Sequence, residues 1–320
     1  MDRPVVLRSA EGSRPGAFGP AEWGLLAGVA LIWGSSFVLI AFALESFSPG
    51  LITFGRLCLG FLALALFPAA RSPVARSDWP TVALLGVVWM AVPFVLFPLA
   101  QQWISSALTG MLNGAMPLFS AAFAVLLLRR LPRSKQAIGL LIGFCGVVLL
   151  TIPDADSASS ALGITLVLVA VTLYGLAVNL AVPLQQKYGG LPVLLRSLAV
   201  AVVLTLPLGV WSLGPSEWSW GAAAAVVALG VLGTGVAFVM MTTLVGRAGA
   251  TRGAVAVYFI PIVAVVLGVT VRGDVVTLVA LFGVALVLIG AYLTSRRETS
   301  APSANSMVSD RLPIDSDPST

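Results

Sequence analysis

The chain has 320 residues, of which 58% are hydrophobic and only 10% charged, and its mean hydropathy is +1.02. Soluble domains carry roughly 25% charged residues, so this composition cannot cover a water-facing surface and excludes a soluble globular fold. The net charge of +5 does not call for a nucleic-acid partner, because the basic residues lie in short gaps between apolar runs, where they report topology.

A spanning helix needs roughly 20 mostly apolar residues. Ten such runs are predicted in chain order: Glu22–Leu44, Leu51–Ala69, Trp79–Leu99, Ile104–Leu128, Gln136–Ile152, Leu162–Val182, Leu191–Trp211, Trp220–Val245, Ala250–Val271 and Val275–Thr294. The gaps are too short to hold a soluble domain. Residues 1–20 and 295–320 read as disordered cytoplasmic tails, the second rich in Ser, Pro and charge. Ala41-Phe42-Ala43 has the look of a cleavage triplet, but the apolar stretch before it is longer than a signal-peptide core, so it is expected to be retained.

Placing the N-terminus in the cytoplasm puts fifteen of the eighteen Lys and Arg residues inside and only Arg272 in an outside loop. The remaining two, Arg56 and Arg196, fall inside spans. One missed or spurious span would scramble this alternation, so the positive-inside rule predicts an even number of crossings and two cytoplasmic termini. The expected setting is a bacterial plasma (inner) membrane, with lipid as the main neighbour and either a monomer or a homodimer compatible with the sequence.

The two halves resemble each other. A shift of 144 residues lays Leu85-Gly86-Val87 on Leu229-Gly230-Val231, Phe94-Val95 on Phe238-Val239, Pro117 on Pro261, and Gly139 and Gly146 on Gly283 and Gly290. Earlier in each half Arg56 matches Arg196, and Trp33-Gly34 matches Tyr174-Gly175. Each half, 21–152 and 161–294, holds five spans. An odd number means the second half enters from the opposite side. The predicted fold is therefore all-α and integral to the membrane, with ten transmembrane helices arranged as two inverted five-helix repeats, the architecture of many secondary transporters.

Several segments resemble the drug/metabolite transporter superfamily, in particular its EamA-like branch. The segment Leu31-Ile32-Trp33-Gly34-Ser35-Ser36-Phe37 is similar to that family's first helix. Ala228 to Gly235 is similar to its eighth, Pro261 with Ala264-Val265 to its ninth, and Gly283 with Gly290 to its tenth. The resemblance implies transport of small metabolites such as amino acids, nucleosides or drugs, more often outward. One departure is visible. Where the family carries Gly-Glu after the fourth and ninth helices, this chain has Arg129-Arg130 and Gly273-Asp274.

A charge inside a bilayer costs at least about 2.5–3.5 kcal/mol on insertion scales, so Arg56 and Arg196 each need a reason. Either they bind an anionic group of a solute, or they snorkel to an interface or a helix-end carbonyl. Trp33, Ser35 and Ser36 in the first span, and Tyr174 and Asn179 in the sixth, could line a cavity of apolar walls with few polar groups. The serines could equally bond their own backbone. Asn113 and Tyr258 lie within a turn of Pro117 and Pro261, which are candidate hinges or passive kinks. Met90, Phe94, Thr234 and Phe238 occupy matching faces of the third and eighth spans, where they could line the cavity or form a packed interface.

Histidine is absent, Cys58 and Cys145 are isolated in apolar runs, and no Asp or Glu lies well inside a span. This argues against a metal, a cofactor, an intramembrane enzyme and a proton relay through a buried carboxylate. The expected function is a secondary active or facilitated transporter working by alternating access. The alternatives are a lipid-linked carrier flippase of the same fold and, in another class, a non-transporting receptor or enzyme.

Overall fold

The computed structural model describes residues 18–128, 134–152 and 158–295. The expected tails, except Phe18, Gly19, Pro20 and Ser295, and the Arg129-Arg130 pair lie outside the described residues. The described residues are all helical or connecting. Seven helices are long and apolar enough to cross a membrane, and three shorter apolar ones accompany them.

We number the helical rods α1 to α10 in chain order. α1 is Pro20–Ala43 and α2 is Pro49–Ala65. α3 is Arg76–Ala100, with a π-helical stretch at Gly86–Ala91. α4 comprises Ser106–Asn113 and Met116–Leu128, and α5 is Ser134–Thr151. α6 is Ala158–Tyr188 and α7 is Gly190–Trp211. α8 is Trp220–Ala248, π-helical at Ala228–Val236. α9 is Val255–Arg272, preceded by the short helix Ala250–Gly253, and α10 is Leu278–Ser295.

Several bounds differ from the sequence expectation by a few residues, and three of the differences have a clear local reason. α6 continues past Val182 through Pro183. A proline costs a helix one bond but does not end it where neighbours hold the turn. Here the Asn179 amide donates to the Ser120 carbonyl at 2.9 Å and clamps that turn to α4. α10 starts at Leu278 rather than Val275, because the Thr277 hydroxyl accepts the Ala280 N–H at 3.1 Å and acts as the helix cap. α4 is interrupted between Asn113 and Met116, just ahead of Pro117, whereas Pro261 sits inside an unbroken helix. The two matched prolines therefore shape their helices differently.

The main packing runs between helices from opposite halves. α1 lies on α9, α2 on α8, α3 on α7, and α4 on α6. The closest approach joins α5 and α10. A Cβ added at Gly290 would sit 2.5 Å from the Gly139 carbonyl oxygen, and one at Gly146 would sit 2.6 Å from the Gly283 carbonyl oxygen. Residue 139 thus meets 290 while 146 meets 283, so the two helices run antiparallel.

The connections gather at two ends. At the basic end Lys187 pairs with Asp78 at 2.8 Å, and Arg247 pairs with the buried Glu22 at 3.5 Å. At the opposite end the α1–α2, α3–α4 and α7–α8 connections and the end of α9 surround one open depression. Six tryptophans are exposed near helix ends: Trp23, Trp79, Trp103, Trp211, Trp218 and Trp220. That is where an amphipathic ring sits at a membrane surface. It leaves Trp33 and Trp89 in the interior.

Gly290→Ala places a methyl group against backbone atoms, which cannot move as side chains do. We expect it to destabilise the bundle by about 1–3 kcal/mol, read as a lower melting temperature of the detergent-purified chain. Gly24→Ala, where nothing lies within 4 Å of the added Cβ, should be neutral or slightly stabilising; equal loss in both variants would refute the α5–α10 contact.

Candidate functional site

The interior between the halves is built by accounting for backbone groups. A buried carbonyl in lipid must find a donor. Pro98 lacks the N–H that would bond the Phe94 carbonyl, and the Thr53 hydroxyl of α2 supplies it instead at 2.8 Å. In α8 the π stretch ends with the Ala237 N–H on the Leu232 carbonyl. Where α-helical bonding resumes, the Gly233 carbonyl is passed over. The Trp33 indole of α1 donates to it at 3.0 Å. Both links cross between helices, and both are made by groups that face the interior.

The same π stretch presents Thr234. Its hydroxyl donates to the Leu229 carbonyl at 3.2 Å and accepts from Arg56 Nε at 3.2 Å. Arg56 is the eighth of seventeen residues in α2, hence at the middle of the helix. It is only 8% exposed. Its guanidinium lies over the Phe94 ring, 4.3 Å from the centroid, and Tyr174 is its buried ionisable neighbour. Among the described residues no carboxylate pairs with Arg56.

Beside this cationic pole lies an aromatic cluster. Phe238 packs edge-on against Trp33 at 5.2 Å and against Trp89 at 5.8 Å. Phe97 lies between Phe37 and Tyr174, 5.8 Å from each. Tyr174 borders both interior clusters and so joins the two sides. The arrangement offers one buried cation, a few hydroxyls and several ring faces, which suits a small solute with an anionic group and an apolar body.

The structure brings together Trp33, Arg56, Phe94, Tyr174, Thr234 and Phe238. The other expected residues are engaged or enclosed by their neighbours, although Ser36 and Arg56 both border Gly233 and Met90 shares a cluster with Phe94. Met90 is fully enclosed in an apolar cluster with Leu57, Leu194 and Leu198. Ser35 and Ser36 both donate to the Ile32 carbonyl at 3.0 Å within α1. Asn179 is engaged with Ser120 and with the Gly175 carbonyl. The Tyr258 hydroxyl donates to the Ala291 carbonyl at 3.0 Å and ties α9 to α10. Asn113 is buried at the end of the first segment of α4. Pro261 lies beside the α4 break, where a Cβ on Gly114 would approach its ring to 2.6 Å.

Arg196 departs most from its partner Arg56. Its Nη1 donates to the Ala70 and Pro192 carbonyls, both at 3.1 Å, and its Nη2 to the Arg71 carbonyl at 3.2 Å. It pins the α2–α3 connection at the basic end. Trp89 and Phe97 belong to the interior but were not singled out from sequence. For Trp89 a signal existed: with Trp33 it is one of two tryptophans far from any span end.

A model of the EamA-like transporter family matches twice, over residues 23–152 and 161–296. The chain belongs to the EamA-like transporter family. It is thus a multi-pass membrane transporter of the drug/metabolite transporter superfamily, a family of carriers rather than enzymes. The chain is 26% identical to an uncharacterized transporter of Archaeoglobus fulgidus over 281 residues, covering 86% of this chain and 99% of that one. It is 27% identical to a Streptantibioticus cattleyicolor protein named "probable terminal-alkyne amino-acid exporter", covering 87% and 94%. It is 26% identical to the uncharacterized transporter YdfC of Bacillus subtilis, covering 82% and 87%. A solved crystal structure shares the fold with a TM-score of 0.60 at 19% identity, covering 85% of the transporter and 96% of that chain.

Arg196→Met should cost the transporter about 1–3 kcal/mol by removing a charged donor shared among three carbonyls and should leave solute affinity unchanged. Thermal unfolding and a binding titration on the same sample check both halves of that statement.

Proposed function

We propose that this transporter carries small polar or amphipathic metabolites bearing an anionic group, such as amino acids, outward across the bacterial inner membrane. Nucleosides and drugs fall within the same class by size. It works by alternating access between two inverted five-helix repeats, with both termini in the cytoplasm. The observation that carries the reading is Arg56. A guanidinium at the middle of a spanning helix, satisfied among the described residues only by a hydroxyl and a ring face, is an expensive group to bury. A solute carboxylate docked on it would offset that cost, and the cluster of Trp33, Trp89 and Phe238 would take the solute's apolar body.

The inverted arrangement draws support from reciprocal packing. At the 144-residue shift, the 139–290 contact becomes the 146–283 contact. The α1–α9 and α4–α6 contacts form a second reciprocal pair, and α2–α8 with α3–α7 a third. Reciprocity of this kind is what a twofold axis produces, and antiparallel α5 and α10 put that axis in the membrane plane. The name of the Streptantibioticus relative supports the outward direction and the amino-acid class. The charge split between the two ends supports the cytoplasmic termini.

Transport by the purified chain in proteoliposomes, against a panel of amino acids and their carboxylate-free amides, tests the reading. Arg56→Ala should reduce carriage of the carboxylate-bearing solutes by about ten-fold or more, with little change for the amides. Unchanged carriage at equal incorporation removes Arg56 from the site. A reporter fused after Thr294 should lie in the cytoplasm, and a periplasmic reporter would break the ten-span topology.

A further inference from the structure

A second polar site lies at the end of the bundle away from the basic one. A depression of about 790 Å³ opens there among the α1–α2, α3–α4 and α7–α8 connections and the end of α9. Its walls bring one cation, Arg272, and two carboxylates, Glu45 and Glu217, to a common space. Arg272 pairs with Glu45 and rests over the Phe42 ring, 4.9 Å from its centroid. The nearby Asp274 does not compete for Arg272. Its carboxylate accepts the Ser106 hydroxyl at 2.6 Å and the Ala107 N–H at 2.8 Å, capping the first turn of α4.

Two groups facing the depression lack a partner. Glu217 is held by its backbone, whose N–H donates to the Ser46 carbonyl at 2.9 Å, but its carboxylate has no partner among the described residues. Gln101 is the sharper case. Both its amide nitrogen and its amide oxygen are enclosed, and neither has a hydrogen-bond partner among the described residues. A buried amide with both ends unmet costs free energy until something polar meets it. The cavity has the volume of a small-molecule site, and Leu44, Phe47 and Pro215 give it an apolar side.

We propose that this depression is a second solute station, distinct from the Arg56 site, that selects zwitterions of the α-amino-acid type. The solute's carboxylate takes Arg272 from Glu45, and its ammonium lies between Glu45 and Glu217. The Gln101 side chain turns its enclosed amide, which can donate and accept, toward the solute. The wall charges sum to one negative, so a lone anion is disfavoured. A lone cation can pair with Glu217 but leaves the Arg272–Glu45 pair as it stands and gains nothing from Arg272. A zwitterion replaces both halves of the existing ion pair at once. This rests on the reading of the chain as a carrier of such solutes and adds to it a point of capture or release at the outer mouth.

The test is a binding titration of the full chain in lipid nanodiscs with L-phenylalanine, L-phenylalanine amide and 3-phenylpropionate, on an Arg56→Met background that removes the central cation. L-phenylalanine should bind at least ten-fold more tightly than either one-charge analogue. Glu45→Gln should erase its advantage over 3-phenylpropionate, and Arg272→Gln its advantage over the amide. Gln101→Leu should weaken L-phenylalanine severalfold. Should the Arg56→Met chain fail to fold, the same shifts in selectivity are read with Glu45→Gln and Arg272→Gln in the wild-type chain. Selectivity unmoved by these substitutions, or no preference for the zwitterion, overturns the outer station. If transport still depends on Arg56 in that case, the central reading stands alone. Loss of Arg56 dependence with the outer selectivity intact overturns the central reading instead.

Discussion

Lipid gives helices no hydrophobic reason to associate, because acyl chains are as apolar as leucine. What holds this bundle is how closely its backbones approach. Gly139, Gly146, Gly283 and Gly290 let α5 and α10 meet backbone to backbone, and the dispersion gained there is available only at that distance. The remaining helices obey the same demand across the halves: α1 on α9, α2 on α8, α3 on α7, α4 on α6. Because each half packs mainly on the other, the space between them is the interior of the protein. Any group facing that space is removed from lipid and from water alike.

The second constraint is that polar groups in such an interior must be used. Most are. Thr53 serves the carbonyl that Pro98 leaves idle, and the Trp33 indole serves the one that the π stretch of α8 skips. Ser35 and Ser36 are taken by their own helix, and Asn179 and Tyr258 by neighbouring ones. Among the described residues of that interior, Arg56 is the charged group that folding leaves largely unmet. Its five donors meet one hydroxyl and one ring face there. The candidate site is therefore found by subtraction, as the polar capacity that folding leaves over. The same subtraction at the end of the bundle away from the basic one leaves Gln101 and Glu217.

Matched positions in the two halves do unlike work. Arg56 lies at mid-helix, while Arg196 closes a connection near the end of a longer helix, seventeen residues against twenty-two. Thr234 binds the guanidinium, while its counterpart Met90 fills a core. Pro117 follows a break, while Pro261 does not. A carrier built from two like halves still needs one site rather than two copies of it, and these differences supply the polarity of that site.

Much of this was legible before any coordinates. Composition, ten apolar runs and the placement of Lys and Arg identify a helical membrane chain, because transfer of a charge or a backbone group into lipid costs enough to leave its mark on every segment. The repeat offset and the segments around Trp33, Ala228 and Pro261 were equally readable, since they are local. Hydrogen-bond assignment was not. Whether Ser36 faces a solute or its own helix, or whether Arg196 serves a cavity or a carbonyl, depends on which backbone groups other helices leave unpaired. That is set by π stretches and by crossings between residues as far apart as Trp33 and Gly233. Hydropathy reports what a residue avoids; only the packed bundle decides what it meets.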